Sequence, residues 1–437
     1  MARKAKARHS GLVRRHRDFR WFWAGQTVSV MGTQVTAVAL PLTAALTLQA
    51  GAGAVGVIAA ATYLPNVLLP LMVGHWLENR RRRPAMIGAD LVRAGTLTLV
   101  PVAYVGHFLS LPLLAGVAFA VGAASVVFDV ASFAYIPGLV DESDLAAANR
   151  AVQGSETAAQ TGGPGIAGVL VQWLGPAVAV LVDSASYLAS VTGLVGARQP
   201  EPAPPPGARH TGIMDGVRLL LRNPYLRALT AHAATYNAFS QVLMVNLVIW
   251  LVKDRTVGVG LYGAALTAAG AGAFLGTMSV LRMIGKVGYG RAYVLSLVLF
   301  TGVPLLLAPL PLSGTALGVA VGVLMLVSGV GLGGANVLST TLRQAAVPKA
   351  ALARSIGSYR LLIFGVIPFG SGLGGLIGET FGSRVGVGIG TLGMALSALP
   401  VALGRTRRLR DPKDARPPAE PEAVAVPVLT ETNLVVD

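Results

Sequence analysis

The chain has 437 residues and a formal net charge of +16, yet only 12% of it is charged and 53% is hydrophobic, with a mean hydropathy of +0.64. Soluble domains carry about 25% charged residues, so there is too little polar surface here for a soluble fold of this size. The absence of cysteine also excludes disulfides, thiolate nucleophiles and cysteine-ligated metals.

A membrane-spanning helix needs about 20 mostly apolar residues, and such stretches recur between Gly, Pro and charge clusters. Residues 1–20, MARKAKARHSGLVRRHRDFR, form a basic tail without the apolar core and cleavage site of a signal peptide. Six spans are predicted after it: Trp21–Leu48, Val55–Val73, Ala85–Val105, Leu111–Ile136, Ala148–Leu174 and Pro176–Ala197. The Pro-rich stretch RQPEPAPPPGARHTG then interrupts the pattern. Ile213–Arg222 (IMDGVRLLLR) follows as an amphipathic helix lying in the interface. Six more spans are predicted at Leu226–Val252, Leu261–Met283, Ala292–Leu310, Gly314–Thr341, Ser355–Gly378 and Val385–Leu403. Ala292–Leu342 contains no charge, but Pro309, Pro311 and Gly314 divide it into two helices. The charged, Pro-rich tail Gly404–Asp437 is expected to be disordered.

The predicted fold is therefore all-α: a membrane protein with twelve transmembrane helices in two six-helix bundles, 21–197 and 226–403. A cytoplasmic linker, 198–225, joins them, and 404–437 forms a tail. The halves repeat. Without a gap, Leu145, Gly163, Gly165, Gly168 and Gly175 fall on Leu352, Gly370, Gly372, Gly375 and Gly382. Glycines so spaced let helices approach closely, and paired repeats around a central site are the usual plan of secondary transporters. Lys and Arg concentrate at one set of helix ends, whereas the opposite loops hold only Lys253, Arg255 and Arg384. By the positive-inside rule, the termini and linker are expected in the cytoplasm of a cell-membrane protein.

The richest basic loop is GHWLENRRRRP, from Gly74 to Pro84, between the second and third spans. There it resembles the G-x-x-x-D-R-x-G-R-R signature of the major facilitator superfamily. Gly74 takes the first Gly position, Glu78 the acidic one, and Arg82 and Arg83 the terminal basic pair; Asn79 and Arg81 depart from it. The resemblance implies a conformational gate built from Gly74, Glu78, Arg82 and Arg83. The competing reading is a plain positive-inside anchor. GGPGIAG, from Gly162 to Gly168, resembles the Gly-Pro-x-x-Gly-Gly signature of superfamily exporters, with Gly163, Pro164 and Gly168 matching. Pro removes a backbone hydrogen bond and kinks a helix; ordinary close packing is the alternative. YIPGLVDESDLAAANRAVQGSETAAQTGGPGIAG, LVDSASYLAS and GVRLLLRNPYLR resemble the branch containing siderophore exporters and transmembrane secretion effectors. The general resemblance covers residues 14–404.

Ionisable side chains inside a bilayer are costly, and are usually functional or paired. Asp90 and Arg93 lie three apart on one helix face and are expected to pair. Glu156, flanked by Gln153 and Gln160, is a proton-coupling candidate, with a buried interhelical carboxylate as the alternative. Asp129 shares a face with Ser125 and Ser132 and either faces the substrate path or caps a helix. Asp183 either carries protons or packs helices. No Asp or Glu lies between Asp254 and Glu379, so Arg360 needs a partner from outside that stretch, Glu156 or Glu78. Gln26, Thr33 and Gln34, with Asn237, Gln241 and Asn336, are cavity candidates, or else interhelical hydrogen-bonders.

No P-loop is present, and the six histidines show no metal-ligand spacing with carboxylates. An enzyme, a cofactor and nucleic acid as a partner are thus not expected. The expected function is proton-coupled export of a small amphiphilic molecule (a drug, natural product or siderophore) by a monomeric antiporter in the lipid bilayer. An importer or facilitator of the same fold, a channel and a non-transporting receptor are the alternatives.

Overall fold

The computed structural model describes residues 15–77, 80–197, 213–347 and 352–415, and among these it contains helices and no strand. The first six spans are α1 (Arg17–Leu42), α2 (Ala52–Tyr63), α3 (Arg82–Val105), α4 (Leu111–Tyr135), α5 (Leu145–Leu174) and α6 (Pro176–Gly196). The next six are α7 (Pro224–Val248), α8 (Val259–Val287), α9 (Tyr289–Leu297), α10 (Gly314–Ala346), α11 (Leu352–Phe364 and Ile367–Phe381) and α12 (Ser383–Ser397). Ten of the helical segments are long and apolar enough to cross a membrane. The other two spans are α5, which is 30 residues long but more polar, and α2 with the short helices that continue it.

Local chemistry sets where these helices begin, bend and end. Asn223 starts α7: its Oδ1 accepts the backbone N–H groups of Tyr225 and Leu226, and Pro224 occupies the first turn. Gly175 and Gly382, at φ +76° and +86°, end α5 and α11 in a conformation that costs glycine little. The second span is not one uninterrupted helix. Pro65 and Pro70 lack the N–H an unbroken helix would use, and three pieces result, Ala52–Tyr63, Pro65–Leu68 and Pro70–Leu77. Likewise α11 breaks between Phe364 and Ile367, at Gly365 and just before Pro368. π-turns extend α1 (Thr43–Thr47), α7 (Ile249–Asp254) and α9 (Val298–Gly302).

Most helices start earlier than their apolar runs. Polar first turns, as at Arg17, Leu145–Arg150 and Tyr289–Arg291, still satisfy their backbone by helix formation. The expectation of a disordered tail from Gly404 fails for its first part. Arg405–Arg408 and Pro412–Ala415 form 3₁₀ turns that bury Thr406, Leu409 and Ala415. The Gly290 N–H donates to the Leu409 carbonyl (3.0 Å), and Asn223 Nδ2 donates to that of Ala415 (3.1 Å). Local composition reports the charges in this segment, but not the apolar sockets that receive Leu409 and Ala415.

The buried apolar core is forked. On the face opposite the termini one cluster runs through both halves, from Val35, Ala52, Val121 and Ala167 to Leu243, Tyr262, Val321 and Val387. Toward the basic face it divides. Phe22, Met86, Phe128 and Ala148 form a core within the first half, and Leu229, Tyr293, Leu338 and Tyr359 form another within the second. The halves are joined on one side and separate on the other.

Candidate functional site

The join is built from repeated glycines. α5 meets α8 at Gly168 and Gly263: a Cβ on Gly263 would lie 2.8 Å from the Gly168 Cα and 2.5 Å from the Pro164 carbonyl oxygen. α2 meets α11 at Gly56 and Gly375, where a Cβ on Gly56 would lie 2.7 Å from the Gly375 Cα. The offset that places Gly168 on Gly375 also places Gly56 on Gly263, so these two contacts are counterparts. A second matched layer lies just outside. The Gly53 N–H donates to Glu379 Oε2 (3.1 Å), and at the corresponding positions Gln172 Oε1 fills the space over Gly260. Lys253 Nζ adds donations to the carbonyls of Gln49 (2.9 Å) and Ala50 (3.3 Å). Glu379 and Lys253 were not legible as contact residues, although the repeat itself pairs Glu379 with Gln172.

The charged groups lie in the separated half. Asp129 on α4, Glu156 on α5 and Arg360 on α11 are within electrostatic range of one another, so the second half's guanidinium faces two carboxylates of the first. Asp129 and Arg360 are exposed and Glu156 is half-buried. One turn beyond Asp129 and Arg360, on the same faces, lie exposed Phe133 and Phe364, with the Arg360 guanidinium 5.8 Å from the Phe364 ring. The cleft thus offers charge beside aromatic surface.

The other singled-out residues divide by surroundings. Arg93 donates to Asp90 and lies 4.5 Å from the Phe128 ring and 4.2 Å from that of Tyr187. Asp183 is fully buried; Ser186 Oγ donates to its Oδ1 (3.0 Å), and a side chain at Gly32 would collide with both residues. That places Asp183 in the α1–α6 packing and away from the cleft. Thr33 bonds Tyr187 through their hydroxyls (3.2 Å). Gln34 packs on Gly163, where a Cβ would come within 2.5 Å of its Cγ. Gln26 is half-buried and Asn336 is exposed. Asn237 Nδ2 donates to the Ile363 carbonyl (2.7 Å), and Gln241 accepts from Ser371 at 3.4 Å. Both tie α7 to α11, as the interhelical alternative requires. Trp23 Nε1, not singled out from the sequence, ties α1 to α5 through Ser155 Oγ (3.0 Å).

In the arginine loop, Glu78 lies outside the described residues. Arg83 caps α6: its Nε donates to the Leu194 carbonyl (2.8 Å) and its Nη2 to that of Val195 (3.0 Å). Arg82 is half-buried at the start of α3. A Cβ on Gly74 would meet nothing within 4 Å, so close packing does not explain this glycine here. Arg81, at φ −68°, needs no glycine either. One histidine meets carboxylates that are distant in the sequence. His16 Nε2 lies 3.0 Å from Asp144 Oδ2 and 3.9 Å from Asp141 Oδ2, an arrangement that ties the start of α1 to the α4–α5 connection.

Solved structures share this architecture. A bacterial homologue of the iron transporter ferroportin, in its inward-facing state, superposes with a TM-score of 0.69 at 16% identity, covering 88% of this chain and 98% of that one. A bacterial homologue of ferroportin in its outward-facing state gives 0.55 at 15% identity, again with 88% and 98% covered. The nucleoside transporter NupG gives 0.66 at 12% identity, with 88% and 98% covered. Among curated proteins, the uncharacterised MFS-type transporter YvqJ of Bacillus subtilis (strain 168) is 26% identical over 142 residues. That alignment spans 32% of this chain and about a third (34%) of the relative's length. Residues 12–436 match the family model described as transmembrane secretion effector. A two-part helical membrane fold, an interface of repeated glycines and this match over nearly the whole sequence place the chain in the transmembrane secretion effector family of major facilitator superfamily transporters.

Proposed function

We propose that the chain is a proton-coupled exporter of a small amphiphilic molecule, working as a monomer by alternating access between units 21–197 and 226–403, with its basic face in the cytoplasm. The forked core carries this reading: one apolar cluster joins both halves on one side, and two separate clusters flank a cleft on the other. A transporter open to the cytoplasm would have that form. The concentration of Lys and Arg at the open side supports the orientation.

Asp129 and Glu156 against Arg360 supply the coupling chemistry. A proton on either carboxylate weakens its hold on Arg360, and a bound cation competes with the guanidinium for the same oxygens. Asp129 also feels Arg93, which Asp90 holds, so three carboxylates stand against two guanidiniums and favour neutral or cationic cargo over an anion; Phe133 and Phe364 supply apolar surface beside them. In the closed-inward state, the loop residues Gly74, Glu78, Arg82 and Arg83 would form the gate on the basic face.

The test is uptake into everted membrane vesicles of a panel of antibiotics and siderophores, with and without a pH gradient. Gradient-dependent accumulation is expected for a member of the panel. Glu156→Gln should abolish it while substrate binding partly persists. Normal coupled export by Glu156→Gln would refute the role given to Glu156. Accumulation insensitive to the gradient would sink proton coupling altogether.

A further inference from the structure

A cleft of about 820 Å³ opens at the basic ends of α8, α9 and α12, and neither Asp129, Glu156 nor Arg360 lines it. It is lined by Arg291, Arg407, Arg408 and Arg410, with Val287 and Leu403 among its apolar walls. Among the described residues, no acidic one lines it. All four guanidinium-bearing side chains are exposed, and among the described residues none is paired with a carboxylate. The nearest acids in sequence are Asp411 and Asp414, whose turn is closed by the Asp411 N–H donating to Asp414 Oδ2 (3.3 Å).

The cleft is built, and is more than a loose basic tail. Thr406 and Leu409 are buried, and the Gly290 N–H holds the Leu409 carbonyl at 3.0 Å. A side chain at Gly290 would press on the backbone of Thr406 and Arg407, coming within 2.6 Å of the Arg407 carbonyl. Only glycine lets the arginine segment lie against the first turn of α9. Four like charges gathered on a held backbone repel one another unless an anion sits among them. Planar guanidinium forks match phosphate oxygens in paired hydrogen bonds.

The walls identify the source of that phosphate. Leu403 is 79% exposed, and with Val287 it continues the cleft into the outward-facing apolar surface of the helices, where Leu399 is also exposed. A soluble anion gains nothing from that surface, whereas acyl chains do. Basic pockets between spanning helices on the cytoplasmic side are suited to anionic headgroups. We propose that this cleft binds the phosphate of an anionic phospholipid, with the acyl chains lying along Leu403 and Val287.

The test titrates the delipidated full-length chain in neutral detergent with phosphatidylglycerol, phosphatidylcholine and inorganic phosphate, each followed by native mass spectrometry. Phosphatidylglycerol should bind more tightly than phosphatidylcholine. Arg291→Gln/Arg407→Gln should weaken that binding by about 25-fold, at about fivefold per arginine. The equally charge-reduced Arg222→Gln/Arg282→Gln should bind as the parent does. If the first variant does not fold, Arg408→Gln/Arg410→Gln carries the same expectation. Unchanged phosphatidylglycerol affinity in the cleft variants would overturn the site. Binding of inorganic phosphate without preference for phosphatidylglycerol would overturn its assignment to lipid.

Discussion

Arg93 holds a charge where one is costly, and its surroundings decide the consequence of losing its partner. Asp90 has no exposed surface and Arg93 only 5%. Phe128 and Tyr187 enclose the guanidinium, and Ser125 Oγ lies 3.5 Å from it. Removing one member of a buried pair leaves an uncompensated charge and costs about 3–5 kcal/mol. Asp90→Ala should therefore lower the thermal midpoint in detergent sharply. Asp90→Ala/Arg93→Leu should recover part of the loss, because the double variant forfeits only stacking worth about 0.5–2 kcal/mol. A double variant less stable than Asp90→Ala would contradict this account. The pairing was legible, since three-residue spacing puts both groups on one helix face. The aromatic enclosure was not, because the rotation of α4 and α6 about their axes is set by packing and leaves no local sequence signal. For the same reason Asn237 reads equally well as a cavity residue or as the α7–α11 hydrogen-bonder it is.

For the helices, the glycine repeat was visible as spacing, but its meaning depends on what each glycine meets. Gly163 receives Gln34 of α1, Gly168 receives Gly263 of α8, and Gly74 receives nothing within 4 Å. Three glycines from two motifs thus have three different surroundings, and only the first two constrain helix separation. Gly263→Val would drive a branched side chain into the Gly168 Cα and the Pro164 carbonyl. Overpacking of this kind costs about 1–3 kcal/mol, which shifts a two-state equilibrium by about 5- to 150-fold. The joined face should then open more often. The chain has no natural cysteine, so labelling by an impermeant maleimide at Ala52→Cys, buried against Gly378 of the second half, reads that opening directly. Labelling should rise in the Gly263→Val background, and Gly56→Val should raise it too by the repeat relation. Equal labelling in all three backgrounds would mean that the glycine contacts do not control the joined face.

At the scale of the whole molecule the halves are alike in packing and unlike in charge. The joined face uses matched pairs from both halves, whereas Asp129 and Glu156 come from the first half and Arg360, within electrostatic range of both, from the second. The repeat therefore supplies symmetric packing, whereas the charges arise where the two halves diverge in sequence. The outer polar contacts, Glu379 on the Gly53 N–H and Lys253 on the Gln49 and Ala50 carbonyls, are solvent-exposed. Exposed charged contacts are worth about 0–1 kcal/mol each, less than the packing of the glycine layers beneath them. Removing both with Glu379→Gln/Lys253→Met should shift the population toward opening of the joined face by about fivefold, for a combined loss near 1 kcal/mol. That is the lower end of the range expected for Gly263→Val. Spin labels at Phe108→Cys and Pro311→Cys, in the α3–α4 and α9–α10 loops on that face, would report the change by pulsed electron resonance as a longer-distance population. If the charge variant opened the face more than Gly263→Val did, the closed state would rest on its exposed polar contacts, and the ranking of packing over charge would be reversed.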